Sequence, residues 1–71
     1  MIEFNVLAGG NVRVMVVLAS SIARFTPSGP EHTVVTLTDG LEVTAIASYT
    51  RFREAVSTAR SQFVTLVDAA A

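Results

Sequence analysis

Up to Ile46 apolar and polar positions alternate with a period of two, and beyond it the spacing lengthens to that of a helix. Ile2, Phe4 and Val6 alternate with Glu3 and Asn5, which marks a strand with one wet face. Ala8-Gly9-Gly10-Asn11 then offers residues that accept positive φ, and predicts a hairpin turn. In the returning stretch 12–18, Val12, Val14 and Val16 fall on one face and Arg13, Met15 and Val17 on the other. Its second half is apolar on both faces, the pattern of a strand covered on both sides. A helix or a neighbouring subunit is therefore expected over the outer face of this sheet. The pattern breaks at Ala19-Ser20-Ser21 and resumes over 22–26, with Ile22, Arg24 and Thr26 opposite Ala23 and Phe25.

Residues 27–32, PSGPEH, form the longest predicted loop, stiffened by two prolines and exposed. The stretches 33–38 and 41–46 are rich in β-branched residues and flank Asp39-Gly40, a strong hairpin signal. Asp39 is read as a turn residue with no further role. After Ala47 the apolar positions Phe52, Ala55 or Val56, Ala59, Phe63 and Leu66 or Val67 recur at helical spacing. Ser48 is the predicted N-cap, its hydroxyl accepting from a free amide of the first turn. Glu54 and Arg60 are not at a supporting i,i+4 spacing, so packing must hold this helix. Asp68-Ala69-Ala70-Ala71 ends it. The expected fold is α+β and one domain over 1–71: an antiparallel sheet of about five strands within 1–46, then one C-terminal amphipathic helix over 48–67.

Length and composition sharpen that picture. At 71 residues the chain is near the lower size at which one core holds a domain folded alone. It has no cysteine, and its single histidine cannot build a metal site, so neither metal nor cofactor is expected. Oligomerisation is the remaining aid, and the 51% hydrophobic content and mean hydropathy of +0.54 agree with it. The expected partner is the chain itself, with the contact through Met15, Val17 and Leu18 or through apolar surface left on the helix. A net charge of −1 argues against nucleic-acid binding, which needs a cationic surface. No apolar run approaches the roughly 20 residues of a membrane span. The N-terminal stretch lacks the basic and apolar regions of a signal peptide. The cytoplasm, bacterial or that of an infected host, is the expected location.

Catalytic chemistry finds little support. Nucleophilic catalysis needs a base beside a nucleophile and an orienting third group, whereas His32 is the one imidazole and lies in the Pro-Gly loop, where a solvated histidine is ordinary. The carboxylates occupy surface and turn positions, and neither glycine stretch matches a phosphate-loop pattern. No enzyme is expected. Binding has more to offer. All five cations are arginine (Arg13, Arg24, Arg51, Arg53, Arg60), which reflects either a GC-rich genome or a use for planar guanidinium forks on phosphate. A helix start attracts anions through its free N–H groups. The candidate site therefore has Arg51 and the amides after Ser48 holding phosphate. Tyr49 or Phe25 stacks on a base, Arg24 or Arg13 closes the pocket from the sheet, and His32 is a lid contact. The expected place for such a ligand is between subunits.

The order of features resembles the FlbD-type family of small flagellar-associated proteins. The matching residues are Met1-Ile2, Leu7, Gly9-Gly10, Ile22, Thr33 to Leu37, Asp39-Gly40 and Ser48, covering about residues 1–56. They are turn and core positions, and the resemblance implies a motility accessory acting through protein contacts. At the level of fold, sheet followed by helix also resembles phage Thoeris anti-defence sponges, small oligomers that sequester cyclic nucleotide-like immune signals. That resemblance implies a non-enzymatic oligomeric binding protein with a cyclic nucleotide ligand.

Overall fold

A computed structural model of the chain describes residues 1–67. Gly9 (φ +59°) and Gly10 (φ +85°) form the turn between β1 (Ile2–Ala8) and β2 (Asn11–Val17). Two positive φ values in a two-residue loop match the right-handed twist of the strands they join, which is why glycine stands at both places. That turn sets the register: Ala8 lies opposite Asn11, Val6 opposite Arg13, Phe4 opposite Met15 and Ile2 opposite Val17. β2 is followed by a 3-10 turn (Ala19–Ser21) and β3 (Ile22–Pro27), then by β4 (Thr33–Leu37) and β5 (Glu42–Ala45). At the β4–β5 turn the Asp39 carboxylate accepts from the Leu41 amide at 3.0 Å, so Asp39 does act locally to shape its corner.

The strand order is β2-β1-β5-β4-β3, with these neighbours antiparallel. This is a meander whose first and last strands pair, and which stays open between β2 and β3. Val17 and Ile22 are five residue steps apart, a reach of at most about 18 Å. Four flat strand spacings already span about 19 Å. The compact 3-10 turn between them therefore requires the sheet to curl, and the hollow of the curl receives the helix.

Helix α1 (Tyr49–Ala59) buries Phe52, Ala55, Val56 and Ala59 against Ile2, Phe4 and Val6 of β1 and Val35 and Leu37 of β4. Alanines at 45, 47, 55 and 59 let the helix lie close to the sheet. Phe4 and Phe52 are fully buried, edge to face at 5.2 Å, and Phe52 meets Phe25 at 5.3 Å. The one buried polar side chain described, Thr33, donates its hydroxyl to the Ala47 carbonyl at 2.9 Å. It thereby ties the start of β4 to the segment entering the helix.

The sequence pattern carried the helix to 67, and here the structure corrects it. α1 ends at Ala59, and the chain turns through Ser61 into a short strand, β6 (Val64–Thr65), parallel to β1. Phe63, at helical spacing from Ala59, is 57% exposed, whereas Leu66 is buried from the strand side. The reason lies on β1. β5 pairs only with its C-terminal half, at Val6 and Leu7, and leaves the other half of that edge open. β6 fills it: the Met1 and Glu3 carbonyls accept from Val64 (3.0 Å) and Leu66 (2.7 Å), and Asn5 accepts from Ile46 (2.8 Å). Unpaired Met1 and Glu3 carbonyls beside a core would be costly, and pairing with the β6 segment satisfies both where a longer helix would not. The stretch 68–71, read as the helix's end, lies outside the described residues.

The fold is thus α+β, a small antiparallel sheet with one helix behind it. The helix covers the face that Met15 and Val17 share with Phe4 and Ile2, so both are partly buried against the core. Of the residues expected at a contact between copies, Met15 and Val17 are thus half-buried and Leu18 is exposed. The apolar residues left in solvent on β2 are Val12 (59%), Val14 (55%) and Val16 (47%), with Leu18 just beyond them.

Candidate functional site

Ser48 ends the segment from β5 with extended backbone (φ −62°, ψ 154°) and caps α1. Its hydroxyl accepts from the Arg51 amide at 3.3 Å, and its carbonyl accepts from Phe52 at 2.9 Å. The cap therefore occupies one of the amides assigned to an anion. The geometry of a first turn leaves those of Tyr49 and Thr50 as the free donors.

Beside this turn is an open depression of about 340 Å³, lined by Asn5, Glu31, Ile46, Ala47, Ser48, Arg51 and Leu66. Three other parts of the chain complete it beside the helix start: β1 supplies Asn5, the loop before β4 supplies Glu31, and the segment after β6 supplies Leu66. Arg51 is exposed and brings a guanidinium fork; Glu31 brings an opposing carboxylate and Asn5 an amide. The lining is therefore mixed in charge, suited to a ligand that offers both an anion and hydrogen-bond donors.

The other expected site residues divide. Tyr49 and Phe25 do meet, with ring centroids 5.5 Å apart and planes tilted by 41°. Phe25 is half-buried and meets both Tyr49 and Phe52, so it supports Tyr49 from the core side. Tyr49 and Arg51 are two residues apart on a helix and project to different sides. Tyr49 turns to β3, and Arg51 to the depression beside β1 and β6. The expected clamp of phosphate holder and base platform is split by the helix's first turn. His32 is half-buried; its carbonyl closes the loop by accepting from Ser28 at 2.9 Å, and its neighbour Glu31 is the residue that reaches the depression. Arg24 stands opposite Thr36 on the sheet face away from Phe25, and Arg13 stands opposite Val6 on the far edge strand. Neither converges with Arg51.

A larger depression of about 470 Å³ lies where the meander stays open, lined by Met1, Leu18, Ala19, Ser20, Ile22, Ala59 and Arg60. Arg60 is the one charged side chain in its lining. Among the described residues no group of three or more His, Cys, Asp or Glu side chains is placed to hold a metal ion. No described helix is long and apolar enough to cross a membrane. No family model, curated protein or solved structure matches this chain.

Proposed function

We propose that the protein is a non-enzymatic binding module that works as an oligomer. Its ligand in this reading is a phosphorylated cyclic nucleotide of the kind used as an immune signal, held without turnover as a phage-type sponge holds it. The observation that carries the reading is the depression at the start of α1, where Arg51 faces the same space as Glu31 and Asn5. Phosphate oxygens take the Arg51 fork and the free first-turn amides. Glu31 and Asn5 accept from base N–H groups or ribose hydroxyls, which a bare anion does not possess.

A second reading is favoured by a different observation. The exposed valines of β2 suit an FlbD-like motility accessory that acts by protein–protein contact. Calorimetric titration separates the two. Cyclic dinucleotides, cyclic trinucleotides and cyclic ADP-ribose variants are titrated into the wild type and into Arg51→Ala. Binding of at least one, weakened roughly tenfold (about 1.5 kcal/mol) by Arg51→Ala, is the expected result, since an exposed guanidinium works at the lower end of charge-assisted bonding. Inorganic phosphate alone should bind more weakly than the nucleotide. No heat with any of them would end the nucleotide reading and leave the contact reading.

A further inference from the structure

We propose that the free edge of β2 pairs with β2 of a second copy, antiparallel about Val14, so that two sheets become one continuous sheet. The inference rests on the oligomeric part of the reading above and names its surface and register. It begins with the hairpin. Ala8 and Asn11 flank the two-residue turn and form its first hydrogen-bonded pair; Val6–Arg13, Phe4–Met15 and Ile2–Val17 follow in the same phase. The pairs between them, Leu7–Val12, Asn5–Val14 and Glu3–Val16, direct their main-chain N–H and C=O groups away from each other. On the β1 side this phase is visible, since Glu3 and Asn5 accept there from Leu66 and Ile46. On the β2 side the same alternation turns outward the N–H and C=O of Val12, Val14 and Val16.

The three residues with unused backbone groups are thus also the three with exposed apolar side chains. β2 ends the strand order, is seven residues long, and carries no proline, acid or bulge; its one charge is Arg13, on the helix side of the strand, away from the face of Val12, Val14 and Val16. Prolines, bulges and charges are devices by which an unused edge is protected from pairing, and β2 has only that single charge. The opposite edge has them: β3 has a register shift between Ile22 and Arg24 and ends on Pro27, which has no N–H to donate. A head-to-tail contact of β2 on β3 of another copy, which would grow open filaments, is thereby disfavoured. A closed two-fold pairing of β2 with itself remains.

The register follows from the spacing. A two-fold at Val14 sets Val14 opposite itself and Val12 opposite Val16 of the second copy, and each such pair exchanges two main-chain bonds. A shift by two residues in either direction sets one of the valines against Gly10 or Leu18, outside the strand. On the helix side, Arg13 falls opposite Met15 of the second copy, so no like charges stand opposite each other.

The test uses the full chain at tens of micromolar. Light scattering should give twice the 7.5 kDa of one chain. The amides of Val12, Val14 and Val16 should exchange slowly with solvent although they have no partner among the described residues. Val14→Pro removes a donor that no described residue of the chain uses, and Val14→Lys places a charge at the centre of the pairing. Both are expected to scatter as single chains with the wild-type circular dichroism; if the proline variant loses the fold, the lysine variant decides. An oligomeric wild type that stays oligomeric in Val14→Lys, with freely exchanging valine amides, overturns the edge pairing and leaves oligomerisation standing. A wild type that scatters as a single chain overturns both.

Discussion

Phe52→Ala should cost about 3–5 kcal/mol, a large share of the roughly 4–10 kcal/mol expected for a chain of this length. Phe52 is the one helix side chain that touches aromatic rings from both halves of the sheet. It meets Phe4 of β1 edge to face at 5.2 Å and Phe25 of β3 at 5.3 Å. Its neighbours on the helix, Ala55 and Ala59, are too small to fill the space it would leave. Chemical denaturation followed by circular dichroism should show the midpoint falling steeply or no folded baseline at all. A loss below about 1 kcal/mol would mean that the hollow of the sheet is not where the helix packs.

Leu66→Ala should be the second largest effect, about 2–3 kcal/mol by the same measurement. Leu66 is buried and its amide donates to the Glu3 carbonyl at 2.7 Å, so it anchors β6 both by packing and by pairing. Phe63→Ala is the informative contrast, because Phe63 is 57% exposed and should cost little. A helix running on to 67 would put both residues on its core face, and the two variants would then be comparably destabilised.

That contrast marks where sequence reasoning ran out. The strands and their turns were legible because each rests on neighbours: Gly9-Gly10, Asp39-Gly40 and the alternation between them need no distant partner. The helix start was legible for the same reason, Ser48 being a local cap. Its end was not. Ala59, Phe63 and Leu66 keep helical spacing, and a two-residue strand has no period of its own to oppose it. What decided the matter was the open carbonyls of Met1 and Glu3, more than sixty residues earlier in the chain.

The candidate site shows the same division. Arg51 and Ser48 were named from the helix start, but Asn5, Glu31 and Leu66 join them only through strand pairing and loop placement. Two local features of the sequence nonetheless bear on it. The two-residue spacing of Tyr49 and Arg51 already sends them to different sides of a helix. The Gly9-Gly10 turn already sets Met15 opposite Phe4, which puts Met15 and Val17 under the helix and Val12, Val14 and Val16 in solvent.

Native mass spectrometry of the wild-type chain mixed in turn with a slight excess of cyclic dinucleotides, cyclic trinucleotides and cyclic ADP-ribose variants tests the central claim most directly. The account predicts a species near twice 7.5 kDa whose mass is raised by bound nucleotide. A single chain of 7.5 kDa carrying no nucleotide would contradict it.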